Sequence, residues 1–299
     1  MRTLSVYLHG VTMGTPPRTP PKAPAKRAEC QGWSSSATRR NVAFLRSVEP
    51  SGLTGQGEAF TLTLRDCPES FEVWADMRDQ LLKRLFRAGA VRVHWVTEWQ
   101  RRGVPHLHGC IWWSGERPEW AGCVLYHWHQ LAGKYGVSTK AQTCKPITDA
   151  LGWFQYCAKH AARGVKHYQR DSANIPEGWH KTGRMWGYRG EWGLSEPMAL
   201  SCDDVTFYRM RRMVRQWRIA DARASGDAFR ISTARGMLRC HKPTLSNVRG
   251  VSEWVTQDVL LAMLLAAAGT TGTVNHREAQ EQAPPTRNEV ERSEAPQGS

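Results

Sequence analysis

Two histidines that stand two residues apart, His106 and His108, lie in an apolar stretch from Val104 to Trp113. Side chains on a β-strand alternate between its two faces. Both imidazoles therefore project to one side of a strand here, while Leu107 points to the other side and into a core. Two imidazoles that meet at one point can hold a metal ion.

A second strand precedes this pair. Residues 91–99 alternate apolar with mostly polar side chains, and residues 100–105 supply the basic residues, Gly and Pro of a turn. Antiparallel pairing places Glu98 near His106 on one face, which gives two nitrogens and one carboxylate oxygen with open positions. His94 lies on the same face and is the alternative third ligand, but Glu98 is nearer the turn.

Cysteine usage leaves a second metal hypothesis. The eight cysteines show no CxxC spacing, which indicates reduced thiols in a cytoplasmic protein. Zinc could be held by Cys110, Cys123, His127 and His129, although the two cysteines are too far apart for an ordinary knuckle.

A helix that opens near Asp149 carries the other reactive groups. Tyr156 and Lys159, three residues apart, share one helical face, so a phenol and an ammonium can meet one substrate. A phenol is a poor nucleophile at neutral pH unless a metal or another cation assists it. The alternative is an ordinary amphipathic helix with a solvated Lys159.

The elements that must position these groups follow a β-α-β-β order. Alternation and helical spacing predict strands at 60–64 and within 91–113, helices at 69–88 and 121–135, and a short strand at 138–145. This order predicts an α+β fold with a central antiparallel sheet and flanking helices.

The charge of the chain indicates a polyanionic partner. The 299 residues carry a formal net charge of +14, and 14 tryptophans accompany it, which favours nucleic acid. The predicted helix at 206–225 is basic and is expected to contact the DNA backbone through Arg211, Arg212 and Arg215. Arg184 is a further candidate phosphate contact. No P-loop sequence is present, so nothing indicates an NTP-driven helicase.

Composition predicts four regions. Residues 1–40 are rich in Pro and basic residues and are expected to form a flexible arm. Residues 41–200 form the α+β domain, 201–269 a basic helical region and 270–299 a disordered tail. The apolar run before residue 269 is too short to span a bilayer, so a packing or oligomerising helix is expected.

Three stretches resemble known motifs in the same order. Residues 60–64, 105–109 and 156–159 resemble the first, second and third motifs of rolling-circle replication initiators of the HUH endonuclease superfamily. The Glu-x-x-x-x-Gly stretch at 98–103 and the Gly-Arg-x-Trp-Gly stretch at 183–187 resemble the plasmid and filamentous-phage members.

This resemblance covers about residues 58–193. It implies that Mg²⁺ or Mn²⁺, held by the two histidines and Glu98, polarises a phosphate of single-stranded or extruded origin DNA. Tyr156 then forms a 5′-phosphotyrosine bond and frees a 3′-OH primer, while Lys159 orients the nucleophile or neutralises charge. The implied setting is a bacterial cytoplasm with a host helicase and polymerase as partners.

Two other functions remain open at this stage. A relaxase or single-tyrosine transposase uses the same chemistry, although relaxases generally place the tyrosine before the histidines. A non-catalytic DNA-binding regulator would keep the fold without cleavage. Tyr168 lies 12 residues beyond Tyr156, an interval that does not match two-tyrosine initiators, so Tyr168 is expected to be structural.

Overall fold

The computed structural model describes residues 2–14, 31–115, 119–161, 168–239, 251–269 and 274–276. The helices in these ranges are α1 (Ser35–Ser47), α2 (Phe71–Arg87), α3 (Trp120–Ala132), α4 (Ala150–Ala161), α5 (Asp204–Ala224), α6 (Ala228–Arg239) and α7 (Gln257–Ala268). The strands are β1 (Arg2–Tyr7), β2 (Gly10–Gly14), β3 (Gly57–Thr63), β4 (Ala90–Trp99), β5 (Pro105–Trp113), β6 (Thr143–Pro146), β7 (Trp186–Gly190), β8 (Met198–Cys202), β9 (Val251–Glu253) and β10 (Val274–His276).

The chain divides into two compact units, each with its own antiparallel sheet. The central unit is residues 21–196, and the terminal unit combines residues 1–20 with 197–299. The sheet order is β6-β3-β5-β4-β7 in the central unit and β10-β8-β1-β2-β9 in the terminal unit. Both sheets carry helices, so the predicted α+β class is confirmed, as is the β-α-β-β order of β3, α2, β4 and β5.

The predicted hairpin is formed by β4 and β5, with Glu98 opposite His106. Its turn closes through a hydrogen bond from the Gln100 N–H to the Val104 carbonyl (2.9 Å). Gly103 has a φ of 76°, a conformation that glycine adopts without steric cost. The turn therefore fixes the register that brings the carboxylate to the histidines.

The two faces of the central sheet receive different helices. Helices α2 and α3 pack on the face of Leu107, where Trp113 stacks on Trp120 with ring centroids 4.2 Å apart. Helices α1 and α4 pack on the histidine face, where Phe154 stacks on Trp112 at 5.8 Å. The large apolar core lies on the first face, which leaves the second for polar groups.

The close packing of the sheet explains the glycine that follows the two histidines. A Cβ at Gly109 would collide with the Phe60 ring and the His94 carbonyl oxygen. Because backbone is among the obstructing atoms, even alanine would force the strands apart at this position. The glycine thus allows β3 and β4 to lie close on both sides of the histidine strand.

The terminal unit corrects the predicted flexible arm. Residues 2–14 form β1 and β2, and β1 lies between β2 and β8. Leu4, Val6, Val11 and Met13 are buried in one core, so these strands bury the apolar face that their alternation provides. Helix α1 also begins within the expected arm, at Ser35, and the proline-rich segment lies outside the described residues.

The C-terminal predictions are met in part. Helix α5 agrees with the basic helix expected at 206–225, and α7 packs its apolar residues Leu260 and Leu264 into the same core as β1. Residues 274–276 of the expected tail form β10, which pairs with β8, and the rest of the tail lies outside the described residues. Among the described helices, none is long and apolar enough to cross a lipid bilayer.

Candidate functional site

Glu98, His106 and His108 converge at the turn end of the β4–β5 hairpin. One ligand atom from each lies within 4.8 Å of the others. The two Nε2 atoms are 2.7 Å apart, and Nε2 of His108 is 3.7 Å from Oε2 of Glu98. The geometry thus unites the three predicted ligands.

Strand β3 orients one of the imidazoles. Thr61 lies opposite His108 in the sheet, and its Oγ1 is 2.8 Å from Nδ1 of that histidine. When Nδ1 donates its hydrogen to Thr61, the Nε2 lone pair faces the other two ligands. The strand that resembles the first motif therefore supports the second, a role that sequence reasoning did not assign to Thr61.

Burial keeps the imidazoles neutral, the form that ligates metals. Burial lowers the pKa of His106 to about 3, and the nearby His108 adds to this. Burial also lowers the pKa of His108, an effect that Glu98 opposes and Arg170 reinforces. Both nitrogen donors are therefore unprotonated at neutral pH.

Arg170 pairs with the carboxylate of the cluster. Its Nη2 lies 3.0 Å from Oε1 of Glu98, and the side chains of Arg170 and Glu98 are 2% and 3% exposed. The two residues are 72 positions apart in sequence, and no motif or spacing pointed to Arg170. A register-level sequence argument could have found Thr61, but not this arginine.

The donor set fits a divalent cation. Ligand atoms about 2.1 Å from one octahedral ion lie about 3 Å apart, and the measured donor separations of 2.7 and 3.7 Å bracket that spacing. Two neutral imidazoles and a carboxylate suit Mn²⁺ or Zn²⁺ by donor type, and a carboxylate with bound water suits Mg²⁺.

The helix that carries Tyr156 packs on the same face of the sheet as the histidines. Its Phe154 stacks on Trp112 of β5. Burial raises the pKa of the Cys157 thiol, and the neighbouring Cys110 and Glu98 raise it further. Since the Glu98 charge acts on the residue after Tyr156, α4 extends to the carboxylate end of the cluster.

The phenol itself is accessible. Tyr156 is 51% exposed, and its ring lies 5.6 Å from that of Trp153. Lys159 belongs to the same helix, but its side chain lies outside the described part of the structure. An exposed tyrosine beside a buried metal-type cluster is accessible to a large substrate such as a DNA strand.

The predicted DNA contacts fall in both units. Arg184 is exposed and immediately precedes the buried Met185 in the central unit. Arg211, Arg212 and Arg215 lie on α5 of the terminal unit, where Arg212 is exposed and the other two are half-buried. Each arginine is accessible to a phosphate within its own unit.

The alternative ligands are placed elsewhere. Nε2 of His94 is 2.8 Å from Oδ1 of Asn41, and its ring stacks on Phe44 of α1 at 5.3 Å. Among the described residues, the Glu98 cluster is the one group that could hold a metal ion. The residues of the zinc alternative, Cys110, Cys123, His127 and His129, do not form such a group there.

Tyr168 stands apart from Tyr156 in its contacts. It is 40% exposed, and the guanidinium of Arg101 lies 5.3 Å from its ring centroid. Its backbone carbonyl accepts a hydrogen bond from the Asn174 side chain (2.6 Å). These contacts fit the structural role expected for it.

Comparison with known proteins gives one consistent result. Residues 58–167 match the family model of the replication-associated proteins of the ORF2 type. The chain is 48% identical over 268 residues to a replication-associated protein of Pseudomonas phage Pf3, covering 88% of this chain and 96% of the relative. Two putative replication proteins of Xylella fastidiosa are 46% and 45% identical, and the alignments cover 97% and 99% of those relatives. No solved structure gives a significant match.

Proposed function

Since the chain belongs to the ORF2-type family of phage replication-associated proteins, we propose that it initiates rolling-circle replication by nicking one strand of origin DNA. The family is the phage and plasmid initiator family expected from the motifs. The observation that carries the nicking step is the exposed Tyr156 on a helix that packs over the face of the sheet holding Glu98, His106 and His108.

The proposed reaction is a transesterification. The phenolic oxygen of Tyr156 attacks the scissile phosphorus, a bond from that oxygen to phosphorus forms, and the bond to the 3′ oxygen breaks. The phenol loses its proton and the leaving oxygen gains one, which yields a 5′-phosphotyrosyl strand and a free 3′-OH. Because phosphodiester energy is retained in the tyrosyl ester, the same step can run in reverse to rejoin strands.

His106, His108 and Glu98 would hold Mg²⁺ or Mn²⁺. When bound, this ion supplies charge stabilisation at the non-bridging oxygens of the phosphate. The protein residues keep their own parts: Thr61 orients His108, and burial keeps both imidazoles unprotonated. Lys159, three residues beyond the nucleophile, would orient it or neutralise charge in the transition state.

The remaining basic residues would bind the DNA. Arg184 would contact a phosphate near the cleavage site, and Arg211, Arg212 and Arg215 would contact the backbone through α5. Such contacts release counterions, so affinity should depend strongly on salt. The names of the relatives favour replication over DNA transfer or transposition, and a host helicase and polymerase would extend the 3′-OH in the bacterial cytoplasm.

The proposal is tested with labelled single-stranded oligonucleotides that tile both strands of the replicon encoding the chain. Each is incubated with purified protein and Mn²⁺ and resolved on a denaturing gel beside Tyr156→Phe and Tyr168→Phe. A protein-linked 5′ fragment is expected with wild type and with the Tyr168→Phe control, and is expected to be absent with Tyr156→Phe or with EDTA.

Two results would change the conclusion. Cleavage that persists in Tyr156→Phe and disappears in Tyr168→Phe would transfer the nucleophile to Tyr168. Tight binding to one oligonucleotide with no adduct under any metal condition would instead make the chain a non-catalytic DNA-binding regulator.

A further inference from the structure

Arg170 contacts Glu98 in an asymmetric way. Its Nε and Nη2 both donate to the same oxygen, Oε1, at 3.1 and 3.0 Å. The other oxygen, Oε2, is the one that lies 3.7 Å from Nε2 of His108. The two oxygens of one carboxylate are thereby assigned to different partners.

The guanidinium is held from two sides. Its central carbon lies 4.2 Å from the ring centroid of Trp33, whose Nε1 donates to the Thr97 carbonyl (2.9 Å). The backbone N–H of Trp99 donates to the Gln169 carbonyl (2.8 Å). These bonds tie both the ring that covers Arg170 and the main chain next to it to the residues on either side of Glu98.

We propose that Arg170 is a positioning residue of the metal site, which holds Glu98 so that Oε2 alone ligates the cation. The inference rests on the metal site proposed above. It adds a residue that none of the motifs contains and that does not itself touch the metal or the DNA.

Two effects of Arg170 on metal affinity have opposite signs. Its positive charge repels an incoming cation, whereas its hydrogen bonds orient the ligand and stabilise a carboxylate that would otherwise be buried without a partner. Loss of a hydrogen-bonding partner behind a metal ligand typically weakens metal binding by about 10- to 100-fold. With Oε1 fixed by two bonds and both side chains almost fully buried, orientation outweighs repulsion.

Arg78 provides a matched control in the same unit. It is also a buried arginine whose guanidinium lies 4.2 Å from an indole ring, that of Trp95. It also pairs with a carboxylate, through Nη2 and Oδ1 of Asp79 at 2.9 Å. Asp79 is not part of the metal-type cluster, so Arg78→Gln has a comparable structural cost without touching a ligand.

The test measures Mn²⁺ binding directly, by the loss of the free-ion electron paramagnetic resonance signal. Wild type, Arg170→Gln, Arg170→Lys and Arg78→Gln are titrated after circular dichroism has verified that each is folded. Arg170→Gln should bind Mn²⁺ about 10- to 100-fold more weakly, and Arg78→Gln should match wild type. In nicking assays, Arg170→Gln should need more Mn²⁺ for half-maximal rate and recover the wild-type rate at saturation.

The outcomes separate the two proposals. Unchanged or tighter Mn²⁺ binding in folded Arg170→Gln overturns the positioning role, and tighter binding would make Arg170 a competing cation. If Arg170→Gln does not fold, Arg170→Lys decides, because lysine keeps the charge but loses the planar fork: weaker binding supports the role, and wild-type affinity overturns it. A wild-type protein that binds no Mn²⁺ overturns the metal site itself and this inference with it.

Discussion

The central and terminal units bury different kinds of side chain. The central sheet buries Glu98, His106 and Arg170 at the turn end of its hairpin. The terminal unit packs an apolar core and carries the arginines of α5 on or near its surface. Because burial of charged groups costs free energy unless they are paired, the central unit retains them where they can do chemistry, and the terminal unit leaves charge available for binding.

Removal of the histidine ligands should separate the units most strongly. The double substitution His106→Ala/His108→Ala should abolish Mn²⁺ binding and lower the cleavage rate by about 10³-fold or more, since metal assistance contributes several kcal/mol. His94→Gln, on the same strand face but outside the cluster, is the control and should bind Mn²⁺ like wild type. A cleavage rate that the double substitution leaves unchanged would refute metal assistance at this site.

A core substitution in the terminal unit should have the converse effect. Leu4 is 1% exposed in the central strand of its sheet, so Leu4→Ala should lower the free energy of unfolding by about 2–5 kcal/mol. Mn²⁺ affinity of the folded protein should be unchanged. Leu265→Ala, at a position 75% exposed, is the control for urea unfolding and should have little effect. Weaker Mn²⁺ binding in folded Leu4→Ala would contradict the division of roles.

Acid should weaken the central unit through its buried histidines. Burial lowers the folded-state pKa of His94 from 6.5 to about 3, so between these values only the unfolded chain takes up the proton. Stability is therefore complete above about pH 6.5 and falls as the pH drops towards 3, by about 2 kcal/mol per such histidine at pH 5. Urea unfolding at pH 7.5 and 5 should show a smaller loss for His94→Gln, and an equal loss would contradict this assignment.

The smallest effect is expected at the surface of the terminal unit. Replacement of Arg211, Arg212 and Arg215 by alanine should weaken DNA binding, and the slope of log affinity against log salt should fall by about 1 for each phosphate that the variant no longer binds. Arg230→Ala is the control, because that side chain pairs with Asp221 at 2.8 Å. Equal salt slopes for the triple variant and wild type would exclude α5 from the DNA interface.

The sequence predicts the central unit better than the terminal one for a physical reason. The ligands Glu98, His106 and His108 lie on neighbouring strands of one hairpin, so local alternation and one turn set their geometry. Strand β1, in contrast, pairs with β8 almost 200 residues later, with Leu4 opposite Leu200. Local patterns do not encode such long-range pairing, and the proline-rich composition nearby hid the alternation of β1.

The same distinction holds within the site. Strand pairing explains Thr61, which lies opposite His108, whereas Arg170 arrives from a loop 72 residues after Glu98. A lone arginine in a loop has no spacing that marks it. Groups supplied by regular elements can thus be predicted from the sequence, and groups supplied by loops require the structure.

The central claim is that Tyr156 becomes joined to DNA in a metal-dependent step. The most direct test is to digest the protein–DNA adduct with protease and nuclease and to identify the modified residue by mass spectrometry. We predict a nucleotide phosphate on the peptide that contains Tyr156, formed with Mn²⁺ and absent with EDTA. A nucleotide on any other residue, or an equal yield in EDTA, would contradict the account.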